Sequence, residues 1–310
     1  MDFDTQPAPA TPRPASPTTP ATTASGSGFR FDEIVIPTER LDFPALAAGD
    51  GPVVVCWHGF PDHPLSFAPL AERLVAAGHR VIAPFLRGHH PTTFDQLPFA
   101  DGLTLAADAA AVNAALSPDP LDVIGHDIGA GIAGRLAAIW PERVRRVITM
   151  SVPPPAALRT IFDDPAQQQR FFYLWMFQVP RVAESLLNDT LLTYLWRTWS
   201  PGLEVPAYVR NAYADPALRS NSLKLYRANF DRTLHDPALA PLAEVSERPA
   251  PIPMLVLAGA DDGCITPDSY ADAATGLAPG SRVDIVPGAG HFLQLDRPDE
   301  VAALALDWLR

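Results

Sequence analysis

Residues Leu121–Arg135 read LDVIGHDIGAGIAGR, and this stretch decides the fold. It begins as an apolar strand, passes through the turn GHDIG at residues 125–129, and continues as a helix rich in glycine and alanine. A turn of this type joins a strand sharply to a helix and lifts its central side chain above the sheet. Gly125 and Gly129 suit it because a Cβ at either position would collide inside so tight a turn. The pattern therefore predicts a strand, a tight turn and a helix, with Asp127 presented for reaction.

The residue at the centre of this turn narrows the chemistry. Most turns of this kind carry serine, whereas this one carries Asp127. A carboxylate starts ordinary ester hydrolysis poorly, but it displaces a leaving group from saturated carbon and forms an alkyl ester with the enzyme. Asp is also a common N-cap, an alternative that needs no chemistry. The strand before it, the helix after it and candidate partners downstream favour the nucleophile.

Composition and charge exclude several classes of function. The chain has 310 residues, 47% of them hydrophobic, and a net charge of −12, so it is long enough for one large core with an inserted subdomain. The acidic excess argues against nucleic acid or an anionic membrane as a partner. No apolar run approaches the roughly 20 residues that span a bilayer, and the amino terminus resembles no secretory signal. We expect a cytoplasmic protein in which Cys56 and Cys264 are buried free thiols.

The order of segments predicts one interrupted α/β domain. Residues 1–28 are rich in Pro, Thr and Ala and are expected to form a disordered tail. Strand and helix patterns alternate over residues 29–152 and resume over residues 249–310, whereas residues 153–248 read as helices rich in aromatic side chains. Alternation of this kind predicts a mostly parallel, eight-stranded sheet with helices on both faces. The interrupting segment is predicted to be an inserted helical cap.

Two downstream segments supply candidate partners for Asp127. Asp262 follows a predicted strand and is the candidate acid that orients a histidine, with Asp261 as the alternative. His291 lies between small residues after the last predicted strand, as suits a base that needs access to the site. The order of nucleophile, acid and histidine along the chain fits a catalytic triad.

From Phe29 to its end, the chain resembles the Asp-nucleophile branch of the α/β-hydrolase fold, especially soluble epoxide hydrolases. Four segments carry the resemblance: His58-Gly59-Phe60-Pro61, Gly125-His126-Asp127, Gly259-Ala260-Asp261-Asp262 and Gly290-His291-Phe292. The resemblance implies that the backbone amides of Phe60 and Ile128 form an oxyanion hole. It also implies a small apolar organic substrate and water as partners, with no metal and no organic cofactor. A homodimer is left open.

Two segments of the predicted cap extend the resemblance to a pair of tyrosines. Tyr173 lies five residues before the Gln of a Gln-x-Pro sequence, and Tyr226 lies in the segment LYRA. In the family, these phenols grip the epoxide oxygen and protonate the emerging alkoxide. A phenol with a pKa near 10 is a suitable donor to so basic a group. Packing in an aromatic cap is the alternative for each tyrosine.

The remaining pocket residues follow from position, and some depart from the family pattern. The residues expected to line the substrate pocket are His58, Pro61, His126 and Trp175. Many relatives place Trp after the nucleophile, where this chain has Ile128. The loop Arg87-Gly88-His89-His90 lacks a usual second glycine, and we interpret it as a rim of the pocket because its two histidines have no further ligand at metal-binding spacing.

Two alternative functions remain. A haloalkane or haloacetate dehalogenase shares the Asp-His-Asp arrangement, but haloalkane enzymes resemble one another in Trp after the nucleophile and often Asn after His-Gly. Those positions are Ile128 and Phe60 here, and haloacetate enzymes carry Arg where Ile128 stands. A non-catalytic ligand receptor on this fold is the second alternative, disfavoured because every member of the triad is present.

Overall fold

The computed structural model describes residues 13–14, 22–23, 29–271 and 273–310. Most of the predicted disordered tail, residues 1–28, lies outside these ranges. Its two described dipeptides, Arg13–Pro14 and Thr22–Thr23, pair antiparallel with the first long strand of the sheet.

Eight longer strands form one sheet within the described ranges. In chain order they are β1 (Arg30–Pro37), β2 (Asp42–Ala48), β3 (Val53–Trp57), β4 (Arg80–Pro84), β5 (Leu121–His126), β6 (Val144–Met150), β7 (Met254–Gly259) and β8 (Arg282–Val286). Their spatial order is β1-β2-β4-β3-β5-β6-β7-β8. The pairs β1–β2 and β2–β4 are antiparallel, and the other pairs are parallel. The predicted mostly parallel, eight-stranded sheet is confirmed.

Helices cover both faces of this sheet, as its apolar strands require. The helices of the α/β part are α1 (Ala68–Ala76), α2 (Gly102–Leu116), α3 (Ile128–Ile139), α12 (Leu293–Asp296) and α13 (Pro298–Trp308). Alternate residues of β3 point to opposite faces. Val55 and Trp57 join one hydrophobic cluster, and Val54 and Cys56 join the other. Both cysteines are buried and outside any disulfide, as predicted.

Between β6 and β7 the described chain forms only helices and turns. We call residues 155–246 the helical insertion. Its α-helices are α4 (Pro155–Ile161), α5 (Pro165–Arg170), α6 (Phe172–Met176), α7 (Val182–Leu186), α8 (Asp189–Trp199), α9 (Ala207–Tyr213), α10 (Pro216–Arg227) and α11 (Ala243–Ser246). The cap boundaries at residues 153 and 248 stay a prediction.

Long-range hydrogen bonds attach the helical insertion to the α/β part. The indole N–H of Trp196 donates to the backbone carbonyl of Pro61 at 3.0 Å. The side-chain amide of Asn221 donates to the carbonyl of Gly88 at 2.8 Å. The insertion therefore lies against the loops that follow β3 and β4. No helix in the described part of the chain is long and apolar enough to cross a membrane.

Candidate active site

Asp127 lies at the junction of β5 and α3 in a backbone conformation that few non-glycine residues adopt. Its φ is +54° and its ψ is −116°, a strained geometry that tends to be kept at functional sites. The surrounding backbone leaves no room for side chains. A Cβ on Gly125 would lie 2.0 Å from the carbonyl oxygen of Gly129, and a Cβ on Gly129 would lie 1.9 Å from that of Trp57. These contacts explain why both positions require glycine.

The loop after β3 holds one oxygen of this carboxylate. The backbone N–H of Phe60 donates to Oδ1 of Asp127 at 2.8 Å. The approach is so close that a Cβ on Gly59 would lie 2.3 Å from the same oxygen. Ile128 is the first residue of α3, so its amide is among those with no partner inside the helix. The Asp127 side chain is largely buried and keeps 10% of its surface accessible.

His291 lies between two carboxylates. Its Nε2 is 3.5 Å from Oδ2 of Asp127, and its Nδ1 is 3.0 Å from Oδ2 of Asp262. The other oxygen of Asp262 accepts the backbone N–H groups of Cys264 at 2.7 Å and Ile265 at 3.0 Å. Asp261 is exposed. The structure thus places Asp262, rather than Asp261, against the imidazole and turns Nε2 toward Asp127.

The negative charges of Asp127 and Asp262 and the positive charge of His291 stabilise one another. Burial of the His291 ring favours its neutral form, but the carboxylates of Asp262 and Asp127 outweigh burial and raise its pKa to about 10. Burial likewise works to raise the pKa of Asp127, and the hydrogen bond and charge of His291 outweigh it, so this pKa lies below its usual value. At neutral pH the pair is therefore an ionised carboxylate beside an imidazolium.

Tyr173 on α6 and Tyr226 on α10 lie close together. Their ring centroids are 5.7 Å apart, and the side chains are nearly fully buried. Burial raises the pKa of both phenols, and the nearby carboxylate of Asp127 raises them further. Both hydroxyls therefore keep their protons at neutral pH, as a hydrogen-bond donor must. The Tyr173 hydroxyl lies 3.5 Å from the thiol of Cys264.

Gln178 connects the two segments that carry these tyrosines. Its side-chain amide donates to the carbonyl of Leu174 at 2.8 Å and to the carbonyl of Tyr226 at 3.3 Å. The guanidinium of Arg227 adds a bond to the carbonyl of Phe177 at 3.0 Å. The spacing of tyrosine and glutamine thus has a structural role, because it joins the end of α6 to the end of α10.

Three of the predicted pocket residues border the site and support its backbone. His58 lies with Nδ1 3.0 Å from the carbonyl of Gly59, and its Nε2 accepts the N–H of Leu86 at 3.2 Å. His126 places Nε2 2.9 Å from the carbonyl of His291. Pro61 accepts the indole N–H of Trp196. The imidazole nitrogens of His58 are engaged with backbone, so its ring shapes the loop.

Trp175 does not join the other predicted site residues. Its side chain is 45% exposed, its indole N–H donates to Gln168, and its ring lies 5.4 Å from that of Phe230. Tyr173 and Trp175 are two residues apart on α6, so their side chains point to different sides of the helix. The placement of Trp175 as a pocket residue is not supported.

The structure adds residues that sequence reasoning missed. Tyr213 is a third buried phenol, with its ring 5.8 Å from Phe60 and its hydroxyl 3.3 Å from that of Ser222. Cys264 was expected only as a buried thiol, yet it contacts Tyr173. No local motif marks these residues, because their partners are distant in sequence. Across the described ranges, no three side chains of the metal-binding types converge closely enough to hold a metal ion.

Comparison with known proteins agrees with this architecture. A sequence profile described as the alpha/beta hydrolase fold matches residues 52–298. The AB hydrolase superfamily protein YfhM of Bacillus subtilis is 28% identical over 290 residues, which cover 88% of this chain and 96% of that protein. Epoxide hydrolase A of Mycobacterium tuberculosis is 28% identical over 324 residues, which cover 88% of this chain and 97% of that protein.

Among solved structures, a mutant of potato epoxide hydrolase superposes with a TM-score of 0.72 at 20% identity. The superposition covers 90% of this chain and 99% of that chain. At this identity, the similarity shows the shared fold alone.

Proposed function

This chain belongs to the α/β-hydrolase fold family and is an enzyme that resembles epoxide hydrolases, and from that premise we propose that it opens an epoxide to a vicinal diol through an alkyl ester on Asp127. One observation carries the proposal. A carboxylate, not a hydroxyl, stands at the strained turn after β5, with the amide of Phe60 on one oxygen and His291 beside the other. A buried pair of phenols completes the set of groups that the reaction needs.

The first step forms the ester. Oδ2 of Asp127, which is free of the Phe60 amide, attacks one epoxide carbon, and the bond from that carbon to the ring oxygen breaks. The developing alkoxide takes a proton from Tyr173 or Tyr226. The step leaves a hydroxyalkyl ester, one phenolate and a protonated His291.

Loss of the Asp127 charge prepares the second step. The ionised carboxylate is one of the groups that raise the pKa of His291, so its conversion to a neutral ester lowers that pKa. The proton that His291 then gives up restores the phenol. The neutral imidazole is held by Asp262 with Nε2 directed at the ester, as a general base requires.

The second step hydrolyses the ester. His291 removes a proton from water, which attacks the carboxyl carbon of Asp127, and Oδ1 becomes an oxyanion that accepts hydrogen bonds from the amides of Phe60 and Ile128. Collapse breaks the bond from that carbon to Oδ2, and the departing oxygen takes the second proton of the attacking water, so the diol leaves with that oxygen. Asp127 is again a carboxylate and His291 an imidazolium, so the cycle closes in atoms and charge. The tyrosine roles, the cap and a cytoplasmic location belong to this proposal.

A parallel screen tests the proposed reaction. Styrene-oxide-like epoxides and haloalkanes are incubated with the purified protein, and diol and halide are both measured. We expect diol from at least one epoxide, and loss of that activity in Asp127→Ala. Asp262→Asn and Asp261→Asn form a matched pair, of which only the first should slow turnover, because only Asp262 contacts His291. Halide release without diol formation would favour a dehalogenase. Formation of neither diol nor halide would favour a non-catalytic ligand receptor.

A further inference from the structure

The helix that carries Tyr226 is attached to the loop that follows β4. The side-chain amide of Asn221 donates to the carbonyls of Gly88 at 2.8 Å and Phe94 at 2.9 Å. One turn later, the ammonium of Lys224 donates to the carbonyl of Leu97 at 2.7 Å. These bonds join α10 to a loop of the α/β part more than 120 positions earlier in the chain. This loop contains the paired histidines His89 and His90.

His89 supplies the side chain on the loop side of this attachment. Its Nδ1 lies 3.1 Å from the carbonyl of Arg87. A carbonyl only accepts, so Nδ1 carries the proton and Nε2 is an acceptor. Ser222 on α10 lies 3.2 Å from this Nε2. Its hydroxyl therefore donates to His89, and both groups are buried.

The chain of hydrogen bonds continues from Ser222 to a second helix. The Ser222 hydroxyl also donates to the hydroxyl of Tyr213 at 3.3 Å, so its single proton is shared between Nε2 of His89 and the phenolic oxygen of Tyr213. The Tyr213 ring also packs edge-on against that of Phe60 in the loop after β3, with centroids 5.8 Å apart. Buried contacts of Tyr213, Ser222 and His89 thus join α9 and α10 to the loops after β3 and β4.

Tyr226 lies one turn after Ser222 on the same face of α10. Its ring centroid is 5.0 Å from that of Phe60, whose amide holds Asp127. Gln178 fixes the end of α10 only to another part of the insertion. The distance between the Tyr226 phenol and Asp127 therefore depends on how α10 is anchored to the α/β part.

We propose that His89 and Ser222 are positioning residues that set the Tyr226 phenol over Asp127 by anchoring α10 to the loop after β4. The inference rests on the proposed function, in which Tyr226 protonates the alkoxide. It assigns a role to a histidine that the reaction does not otherwise use. Because the contact acts on the acid of the first step, its loss should slow ester formation and spare ester hydrolysis.

Single-turnover kinetics test this role. Ser222→Val and Ser222→Thr are a matched pair of β-branched side chains that differ in the hydroxyl, and His89→Phe removes the acceptor. The valine and phenylalanine variants should form the ester about ten- to a hundredfold more slowly, and the double variant should be no slower than either alone. Ser222→Thr and His89→Gln should keep most of the wild-type rate of ester formation. Tyr194→Phe is the control, because that side chain is 54% exposed and should leave both steps unchanged.

The outcomes separate this inference from the proposed function. Additive losses, equal slowing of both steps or an unchanged ester-forming rate would overturn the positioning role while leaving epoxide opening intact. If the wild-type protein opens no epoxide, the proposed function fails, and hydrogen exchange of α10 amides then tests the anchor alone. Faster exchange is expected in Ser222→Val and His89→Phe than in Tyr194→Phe. Equal exchange in all three variants would contradict the anchoring role. If Ser222→Val does not fold, the comparison rests on His89→Phe.

Discussion

The backbone N–H of Phe60 donates to Oδ1 of Asp127 at 2.8 Å, and this single contact makes the two carboxylate oxygens inequivalent. Oδ1 is held by a donor that stabilises negative charge as it develops on that atom. Oδ2 faces His291. In the proposed reaction, Oδ2 therefore becomes the ester oxygen, and Oδ1 becomes the carbonyl oxygen that water attack converts to an oxyanion.

Isotope labelling tests this division of roles. In a single turnover in ¹⁸O-water, the label should enter the carboxylate of Asp127, because water attacks the carboxyl carbon and the original oxygen leaves with the diol. Mass spectrometry of the peptide that contains Asp127 measures the label. Label confined to the diol would mean direct attack of water on the epoxide, without an ester.

The ester itself should be observable when its hydrolysis is blocked. His291→Gln removes the base but keeps Asp127 and both phenols, so we expect the intact protein to gain the mass of one substrate molecule. Asp127→Asn in the same background should abolish the mass gain. A gain that survives that substitution would place the alkylated residue elsewhere.

The two phenols should act on the first step only. Tyr173→Phe or Tyr226→Phe should slow ester formation, and the double variant should lose about 10²- to 10⁴-fold or more, as expected for loss of a general acid. The fold should persist because Phe keeps the buried ring. Tyr194→Phe is the control, since that side chain is 54% exposed. A double variant with full diol formation would contradict the assignment, and retained halide release would favour the dehalogenase.

The close approach of the loop after β3 gives a second, structural test. Alanine at Gly59 would place Cβ 2.3 Å from Oδ1 of Asp127, so the carboxylate must move off the Phe60 amide. We expect Gly59→Ala to lose about 10²-fold or more in turnover, the usual effect of losing one oxyanion-hole donor. Gly134→Ala is the matched control. Its nearest neighbour is 4.0 Å from the new Cβ, and alanine favours the helix by up to about 1 kcal/mol. Equal losses in the two variants would contradict the role of this contact.

Much of this site is predictable from local sequence because strand order brings the segments together. Parallel strands present their carboxyl ends at one edge of the sheet, and β3, β5 and β7 end at the loops that carry Phe60, Asp127 and Asp262. The turn at residues 125–129 has room only for glycine at positions 125 and 129, and both glycines can be read from the sequence. Spacing favoured Asp262 and kept Asp261 as the alternative, whereas the structural reason lies in the backbone amides that bind Asp262.

The contacts that local sequence could not predict are those between the helical insertion and the α/β part. The contact of His89 with Ser222 joins residues 133 positions apart, and no sequence pattern predicts that these two side chains meet. Trp175 was misplaced for a related reason. A helix of five residues shows too little of a period to reveal which face is buried, so proximity to Tyr173 in sequence was a poor guide to proximity in space.

The raised pKa of His291 predicts how stability depends on pH. The folded-state pKa is about 10, against 6.5 for an ordinary histidine. Below about pH 6.5 both folded and unfolded chains hold this proton, and the stabilising contribution of the imidazolium is fully present. As pH rises toward 10, the unfolded chain has lost the proton while the folded chain retains it, so the free energy of unfolding should fall. The six tyrosines also titrate near pH 10 in the unfolded chain, but they are common to the wild type and a His291→Gln variant, so their contribution cancels when the two are compared.

Urea unfolding of the wild type and His291→Gln from pH 7 to 10 measures this effect. Glutamine does not titrate, so the wild-type curve should fall relative to the variant by at most about 1.4 kcal/mol per pH unit, the limit for one proton. Asp262→Asn removes the carboxylate that contributes most to the raised pKa of His291, and the relative fall should then end at a lower pH. Tyr194→Phe should run parallel to the wild type throughout. If the wild-type and His291→Gln curves are parallel instead, the imidazolium between Asp127 and Asp262 is not the charge state of the free enzyme, and the proton that restores the phenol must come from another group.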